Sequence, residues 1–201
     1  MKLFLKPGAC SLSPHIVLEE AGLSYETEVV DLAKKVTASG ADYLAINPKG
    51  YVPALLLDSG ELLTEGPAIV QYLADLVPAK NLAPANGTLP RYQMQSWLTF
   101  IGTEIHKNFS PFFNPAATPD IKNAARANLE RRLAYTNEQL AGRPYLLGED
   151  FSVADAYLFT VVSWAKFIQL DLSAWPHLTA FLGRVGARPA VQAALKAEGL
   201  I

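Results

Sequence analysis

The sequence contains a single cysteine, Cys10, and only three histidines in 201 residues. One cysteine excludes an internal disulfide, and the scattered histidines have no metal-ligand spacing, so neither a structural zinc site nor dithiol redox chemistry within the chain is expected. No apolar run approaches the length needed to span a bilayer, and residues 1–5 are too short for the apolar region of a signal peptide. The sequence therefore predicts a cytoplasmic protein with no metal and no membrane partner.

Neither positive nor negative charge is in clear excess. The 17 basic and 19 acidic residues give a net charge of -2, and no basic tail or cluster is present that could hold a phosphate backbone. Nucleic acid is therefore not an expected partner. Half of the residues are apolar, and the length is sufficient for one large domain or two modest ones with a substantial core.

The first 78 residues have the pattern of a compact α/β domain. Strand patterns occur at 2–5, 25–30, 52–57 and 61–63, and helical patterns occur at 14–21, 42–46 and 64–76. The order is βαβ, with a right-handed crossover, followed by ββα. The sequence predicts a mixed four-stranded sheet for this domain.

The composition changes sharply across residues 78–90, which hold three prolines, a glycine and two asparagines. A linker is therefore predicted at 79–88, between a domain at 1–78 and an all-helical domain at 89–201. Helical periods in that second domain occur at 89–108, 121–140, 153–168, 175–187 and 191–198. Ser152 and Asp155 have the spacing of a capping box at the start of the third of these helices, which is a structural role.

Cys10 lies in Lys6-Pro7-Gly8-Ala9-Cys10-Ser11, where the first strand gives way to the first helix. A thiol at a helix start experiences the positive end of the helix dipole and free backbone N–H groups, and both favour the thiolate. Cys10 is therefore a candidate nucleophile, although a lone cysteine is also often a small buried hydrophobe.

Together, the α/β domain, the proline-rich linker and the all-helical second domain resemble a cytosolic glutathione S-transferase, and the resemblance covers essentially the whole chain. The motifs that carry it are Lys6-Pro7-Gly8-Ala9-Cys10-Ser11, Asn47-Pro48-Lys49-Gly50-Tyr51-Val52-Pro53-Ala54-Leu55, Leu63-Thr64-Glu65-Gly66, His106-Lys107 and Phe151-Ser152-Val153-Ala154-Asp155-Ala156. The cysteine after Pro-Gly-Ala and the His-Lys pair resemble the bacterial beta class. The resemblance implies a thioredoxin-like first domain, glutathione as co-substrate and a homodimer.

The resemblance also implies a set of glutathione-binding residues. They are Ala9, Cys10, Lys35, Tyr51, Val52, Pro53, Glu65, Gly66, Thr99, Thr103, His106 and Lys107. Val52-Pro53 matches the family's cis-proline site, where the valine backbone pairs with an extended peptide. Glu65-Gly66 at a helix start offers N–H groups to the γ-glutamyl carboxylate, while the Glu65 carboxylate could hold the ammonium group. Lys35 matches the position that meets the glycyl carboxylate, although a solvated surface lysine is the simpler interpretation.

Thr99, Thr103 and His106 are spaced four and three residues apart, which places them on one face of an α-helix. The resemblance implies that this face lines the cleft near the sulfur of glutathione. The chain departs from the class pattern at several positions: relatives often have glutamine at 51, asparagine at 99 and serine at 103, and many family members have serine or threonine in place of Gly66.

The sequence leaves three functions open. The first is a detoxifying transferase that adds the glutathione thiolate to small hydrophobic electrophiles, with Cys10, Ser11 and His106 as the catalytic candidates. Its electrophile site is expected to be lined by Phe109, Phe112, Phe113 and Trp164, although aromatic residues at helical spacing are also typical of a core. The second is thiol-disulfide exchange or reductive dehalogenation with glutathione as reductant, and the third is a non-enzymatic binding or regulatory protein.

Overall fold

The computed structural model describes all residues from 1 to 201, and they form two compact units. Unit 1 contains Met1–Ala83 together with Arg188–Ile201, and unit 2 contains Pro84–Ala187. The sequence predicted a helical domain that extends from 89 to 201, so the C-terminal segment departs from that boundary. The periodicity of an amphipathic helix identifies its apolar face, but it does not identify the partner against which that face packs.

Unit 1 is built on a mixed sheet of five strands in the order β3-β2-β1-β4-β5. The strands are β1 Lys2–Leu5, β2 Glu26–Asp31, β3 Val36–Thr37, β4 Ala54–Leu56 and β5 Leu62–Thr64. The β1–β2 pair is parallel, as the βαβ interpretation requires, and every other pair is antiparallel. The thioredoxin-like fold predicted for this domain is confirmed.

The prediction of four strands was wrong by one, because β3 was missed. This strand has only two residues, which pair with Val30 and Asp31 at the edge of the sheet. Two residues cannot show an alternating pattern, so no sequence signal marked them. The chain enters β3 through Lys35, whose φ of 57° lies in the left-handed region that non-glycine residues seldom occupy.

The helices of unit 1 before the linker are α1 Leu12–Ala21, α2 Tyr43–Ile46 and α3 Gly66–Leu76. Leu3 and Leu5 alternate along β1 with Phe4, so the two faces of the sheet have separate cores. On the Phe4 side, Val30, Tyr43, Val52 and Ala54 form one buried cluster. Val52, a predicted site residue, is therefore fixed by core packing rather than carried on a free loop.

Unit 2 is all-helical, as predicted. Its α-helices are α4 Leu89–Phe100, α5 Lys107–Phe113, α6 Pro119–Gln139, α7 Val153–Val162 and α8 Pro176–Gly186. A π-helical segment, Ile101–His106, joins α4 to α5, and a 3₁₀ segment, Ser163–Ile168, follows α7. Every residue of α7 is buried, which makes it the central helix of the unit.

The capping box predicted at the start of α7 is confirmed. One carboxylate oxygen of Asp155 accepts the backbone N–H of Ser152 at 2.8 Å, and the other accepts the N–H of Leu146, also at 2.8 Å. The side chain thus ties the preceding loop to the helix start and satisfies backbone donors that would otherwise be buried without partners.

The last helix, α9 Pro189–Ala197, packs against α1 within unit 1. Two contacts fix its ends: Arg188 pairs with Glu20, and Glu198 pairs with His15 at 2.8 Å. No helix in either unit combines the length and the apolar character that crossing a bilayer requires.

Candidate active site

Cys10 occupies a tight turn between β1 and α1, two residues before the first helical residue, as its motif predicted. The turn is closed by backbone hydrogen bonds from Ala9 N to Lys6 O at 3.0 Å and from Leu12 N to Ala9 O at 3.0 Å. The Cys10 side chain is partly exposed, and its Sγ donates to the carbonyl of Val52 at 3.3 Å. The thiol is thus directed at the segment that was predicted to bind the peptide.

Ser11 is completely buried, and its hydroxyl is already used. Its Oγ accepts the N–H of Lys6 at 3.1 Å and donates to the carbonyl of the same residue at 3.2 Å. These two bonds pin the turn to the end of β1. They argue against the expected role of Ser11 as a donor to a thiolate and assign it the shaping of the turn.

A second support for the turn comes from α9, and no sequence motif indicated it. Glu198 accepts the backbone N–H of Gly8 through Oε2 at 2.8 Å and the His15 ring through Oε1 at 2.8 Å. Both side chains are almost fully buried. One carboxylate therefore joins the turn before Cys10 to the helix that follows it, and such charge-assisted bonds are strong where water is excluded.

The Val52-Pro53 peptide bond is cis, as predicted. The carbonyl of the preceding residue, Tyr51, accepts from the Tyr43 hydroxyl at 3.0 Å and from Asn47 Nδ2 at 2.8 Å. These two buried side chains therefore anchor the segment that leads into β4. The N–H of Val52 makes no hydrogen bond within the chain. That donor is therefore free to pair with an extended peptide.

Glu65 precedes the first residue of α3 and has a φ of 69°, a conformation that a non-glycine residue adopts only at an energetic cost. Its Oε1 accepts from Lys49 Nζ and from the Tyr51 hydroxyl, each at 2.6 Å. The bond to Glu65 raises the pKa of Tyr51 above its ordinary value. Sequence reasoning missed Lys49, because a surface lysine in a turn carries no signal of its partner.

Gly66, the first residue of α3, has ordinary backbone angles, and a Cβ placed there would lie 3.7 Å from Pro53 Cγ and 3.9 Å from Ser13 Oγ. Both distances are normal van der Waals contacts. Neither the available space nor the backbone conformation therefore requires glycine at this position.

Lys35 lies over the turn that precedes Val52, where its Nζ donates to the carbonyl of Gly50 at 2.7 Å.

In unit 2 two of the three residues of the predicted face, Thr103 and His106, lie in the π-helical segment rather than in an α-helix. The Thr103 hydroxyl donates to the Thr99 carbonyl at 3.0 Å. His106 packs against Tyr157 and Trp164. A π turn contains more residues than an α turn, so the α-helical spacing from which the face was predicted does not apply within this segment. Thr99, Thr103 and Lys107 are exposed, whereas His106 is half-buried.

The His106 ring has one hydrogen bond within the chain, between Nδ1 and the Tyr157 hydroxyl at 2.7 Å. Burial, together with the positive charge of neighbouring Lys107, lowers the pKa of His106 to about 4. The imidazole is therefore neutral at physiological pH. Tyr157 was not among the predicted site residues, because a tyrosine within a continuous apolar helix is typical of a core.

Trp164 is the centre of an aromatic cluster that contains most of the predicted electrophile residues. Its ring lies 5.7 Å from Phe109, 5.8 Å from Phe113 and 4.9 Å from His106, all edge-on. Phe109 has no exposed surface, so it supports Trp164 from below, whereas Phe113 is 53% exposed. Phe112 points elsewhere and packs against the Arg126 guanidinium at 5.6 Å.

A separate groove of about 320 Å³ in unit 2 has an aromatic wall of Trp97, Phe100 and Tyr135. None of the predicted electrophile residues lines it. No group of three or more His, Cys, Asp or Glu side chains is arranged to hold a metal ion.

Comparison with known proteins gives the family. The model of the glutathione S-transferase N-terminal domain matches residues 8–76, and that of the C-terminal domain matches residues 100–189. Glutathione S-transferase GstA of Escherichia coli O157:H7 is 52% identical over 200 residues and covers all of both chains. A sphingomonad glutathione S-transferase in complex with glutathione is 52% identical, with a TM-score of 0.96 and full coverage of both chains.

The bacterial beta-class glutathione S-transferase of Sphingomonas chungbukensis is 49% identical, with a TM-score of 0.97, and again both chains are covered completely. The two family models together span most of the chain, and the relatives named here match it over its whole length. The chain belongs to the glutathione S-transferase family and is an enzyme of its bacterial beta class.

Proposed function

We propose that this transferase adds the thiolate of glutathione to small hydrophobic electrophiles. Glutathione would lie along Val52 and pair with its free N–H, while its γ-glutamyl carboxylate meets the N–H groups at the start of α3. The observation that carries the proposal is the Cys10 Sγ, which is partly exposed and lies 3.3 Å from the Val52 carbonyl. A peptide thiol placed on that backbone would lie beside Cys10.

The free glutathione thiol needs help to react. With a pKa near 8.5 it is only about 3% thiolate at pH 7, so the site must stabilise its anion. A Cys10 thiol would donate a hydrogen bond to that anion, and His106 would supply a second donor. Two adjacent thiolates would repel each other, so Cys10 and bound glutathione share one proton in the resting complex.

The electrophile would be held by the aromatic surface of Phe113 and Trp164, with Phe109 beneath it. Phe113 supplies the exposed face of this cluster, and an apolar aromatic surface with few polar groups selects ligands by shape and hydrophobicity. We also propose that the enzyme works as a cytoplasmic homodimer, on the family resemblance.

A second candidate function is thiol-disulfide exchange, favoured by the accessibility of the Cys10 thiol at a helix start. In this reaction the Cys10 thiolate attacks one sulfur of a disulfide substrate, a Cys10–substrate disulfide forms, and the other half of the substrate leaves as a thiolate. Reduced glutathione, as thiolate, then attacks the substrate sulfur of that mixed disulfide, which forms a glutathione–substrate disulfide and releases the Cys10 thiolate, because the chain has no other cysteine that could do so.

Two measurements on the wild type and the Cys10→Ala variant test these functions. The first is the rate of conjugation of reduced glutathione to 1-chloro-2,4-dinitrobenzene. The second is mass spectrometry after incubation with oxidised glutathione, which should show a reducible adduct on the wild type alone. If conjugation survives in Cys10→Ala while the adduct disappears, Cys10 serves disulfide exchange. A wild type that neither conjugates nor forms the adduct would overturn both proposals.

A further inference from the structure

The two nitrogens of the His106 ring have different environments. Nδ1 lies 2.7 Å from the hydroxyl of Tyr157, and Nε2 has no hydrogen-bond partner within the chain. Tyr157 is only 4% exposed and belongs to α7, every residue of which is buried. The Trp164 ring meets the imidazole edge-on at 4.9 Å and restricts its rotation. His106 is therefore clamped by a rigid helix on one side and by an indole on the other.

The chemistry of the contact determines which nitrogen carries the proton. A neutral imidazole has one N–H and one bare nitrogen, and a hydrogen bond to one nitrogen fixes the identity of the other. A phenolic O–H is a better donor than an imidazole N–H, and a bare imidazole nitrogen is a better acceptor than a phenolic oxygen. The contact therefore favours a Tyr157 hydroxyl that donates to Nδ1, with the imidazole proton on Nε2.

We propose that Tyr157 is a positioning residue that holds His106 as its Nε2–H tautomer, so that the imidazole presents a hydrogen-bond donor to the sulfur of glutathione. The inference rests on the proposed function in placing His106 at that sulfur. The same geometry excludes His106 as a general base, because the lone pair on Nδ1, the only one that could accept a proton, is already engaged by Tyr157.

The surroundings of the ring favour the neutral form. Lys107 supplies a neighbouring positive charge, and burial removes water that would solvate an imidazolium; together they lower the pKa of His106. The packed neighbours on the other elements, Tyr157 and Trp164, bring no negative charge that would favour protonation. A neutral imidazole N–H can donate a hydrogen bond to a thiolate and keep its own proton, whereas an imidazolium could protonate the sulfur.

The test is the tautomer itself, observed by NMR of protein labelled with ¹⁵N-histidine. The chain has three histidines, so the His106 signals are assigned from a His106→Asn variant. The wild type should show the Nε2–H pattern at pH 7, with a bare-nitrogen signal from Nδ1. In Tyr157→Phe, which keeps the ring packing but removes the hydroxyl, the two nitrogens should move towards averaged values. A wild-type Nδ1–H pattern would overturn the proposal.

The matched control is Tyr135→Phe. Tyr135 also packs against aromatic rings in unit 2, and its hydroxyl has no hydrogen bond within the chain. The Tyr135→Phe substitution should leave the His106 signals and the activity unchanged. Tyr157→Phe should lower kcat for conjugation by about five- to tenfold with little change in KM, the effect of losing one well-aligned hydrogen bond. A fall in Tm without a change of tautomer would mean that Tyr157 is only structural.

Titration with reduced glutathione separates this inference from the proposed function. If His106 lies at the sulfur, its Nε2 signal should shift on binding. The Nε2–H tautomer in the wild type and its loss in Tyr157→Phe, without any shift on glutathione binding, would confirm the role of Tyr157 towards His106. The same result would refute the placement of His106 in the site.

Discussion

His15 and Glu198 form a buried pair, with the ring Nδ1 2.8 Å from Oε1, although they are separated by most of the length of the chain. The other carboxylate oxygen binds the N–H of Gly8, so the pair also holds the turn that carries Cys10. A buried charged group and its partner depend on each other, because removal of either one leaves the other unsatisfied and shielded from water.

We expect Glu198→Ala to lower the free energy of unfolding by about 3 to 5 kcal/mol, because it removes the carboxylate that the buried His15 ring and the Gly8 N–H both contact. Urea titration of the whole chain measures this loss. The control is Glu26→Ala, whose side chain is 77% exposed and should change stability by no more than about 0.5 kcal/mol. Equal effects of the two substitutions would contradict the importance of the buried pair.

We expect Gly66→Ser to lower the KM for glutathione by about three- to tenfold, provided that the γ-glutamyl carboxylate binds at the start of α3. The space at Gly66 accepts a Cβ at normal contact distances, and the added hydroxyl could donate to the carboxylate. Gly66→Ala is the matched control, since it fills the same space without a donor. A fall in KM of equal size in both variants would show that the hydroxyl makes no contact.

Lys49 competes for the carboxylate that would bind the ammonium group of glutathione. Its Nζ lies 2.6 Å from Glu65 Oε1 on an exposed surface, where ion pairs are worth about 0 to 1 kcal/mol. Lys49→Met should therefore lower the KM for glutathione by up to about fivefold. The control Lys34→Met removes a lysine that is paired only with Asp31, and it should leave the KM unchanged. A higher KM in Lys49→Met would mean that Lys49 itself binds the ligand.

The stability of the protein should depend on pH through His106. Its folded pKa is about 4, below the ordinary value of 6.5, so between these values the unfolded chain binds the proton and the folded chain does not. Stability is then fully present above pH 6.5 and is lost as the pH falls towards 4. At pH 5 the loss relative to pH 7.5 should be about 2 kcal/mol.

The measurement compares wild type with His106→Asn by urea unfolding at pH 5 and pH 7.5, because other groups also titrate between these values. Asp155 is one of them: burial raises its pKa to about 6, which changes stability in the opposite direction. Only the difference between the two proteins isolates His106. If the difference is the same at both pH values, the His106 pKa is not depressed in the folded state.

Sequence reasoning succeeded where the local pattern determines the structure. The Pro-Gly-Ala-Cys turn, the capping box of Ser152 and Asp155 and most helix bounds follow from residue types at fixed spacings. It failed where a contact joins distant parts of the chain. Glu198 has the same sequence appearance as any acidic residue near a helix end, and only the fold reveals its partner His15.

The candidate site shows the same division. The cis bond before Pro53 and the position of Glu65 were indicated by motifs, and the structure confirms the cis bond. The π-helical segment could not be foreseen, because residues 101–106 continue the helical period of α4 without interruption. His106 is the last residue of this segment, and its hydrogen bond to Tyr157 joins it to α7.

The packing of α9 on α1 also means that some contacts of the first unit form late during biosynthesis. Residues 1–83 leave the ribosome roughly a hundred residues ahead of Glu198, which at about 5 to 20 residues per second is a delay on the order of ten seconds. During that interval the His15 ring and the Gly8 N–H lack the carboxylate that later binds them. The turn that carries Cys10 therefore gains its bonds to Glu198 only after α9 has been synthesised, although its local hydrogen bonds can form earlier.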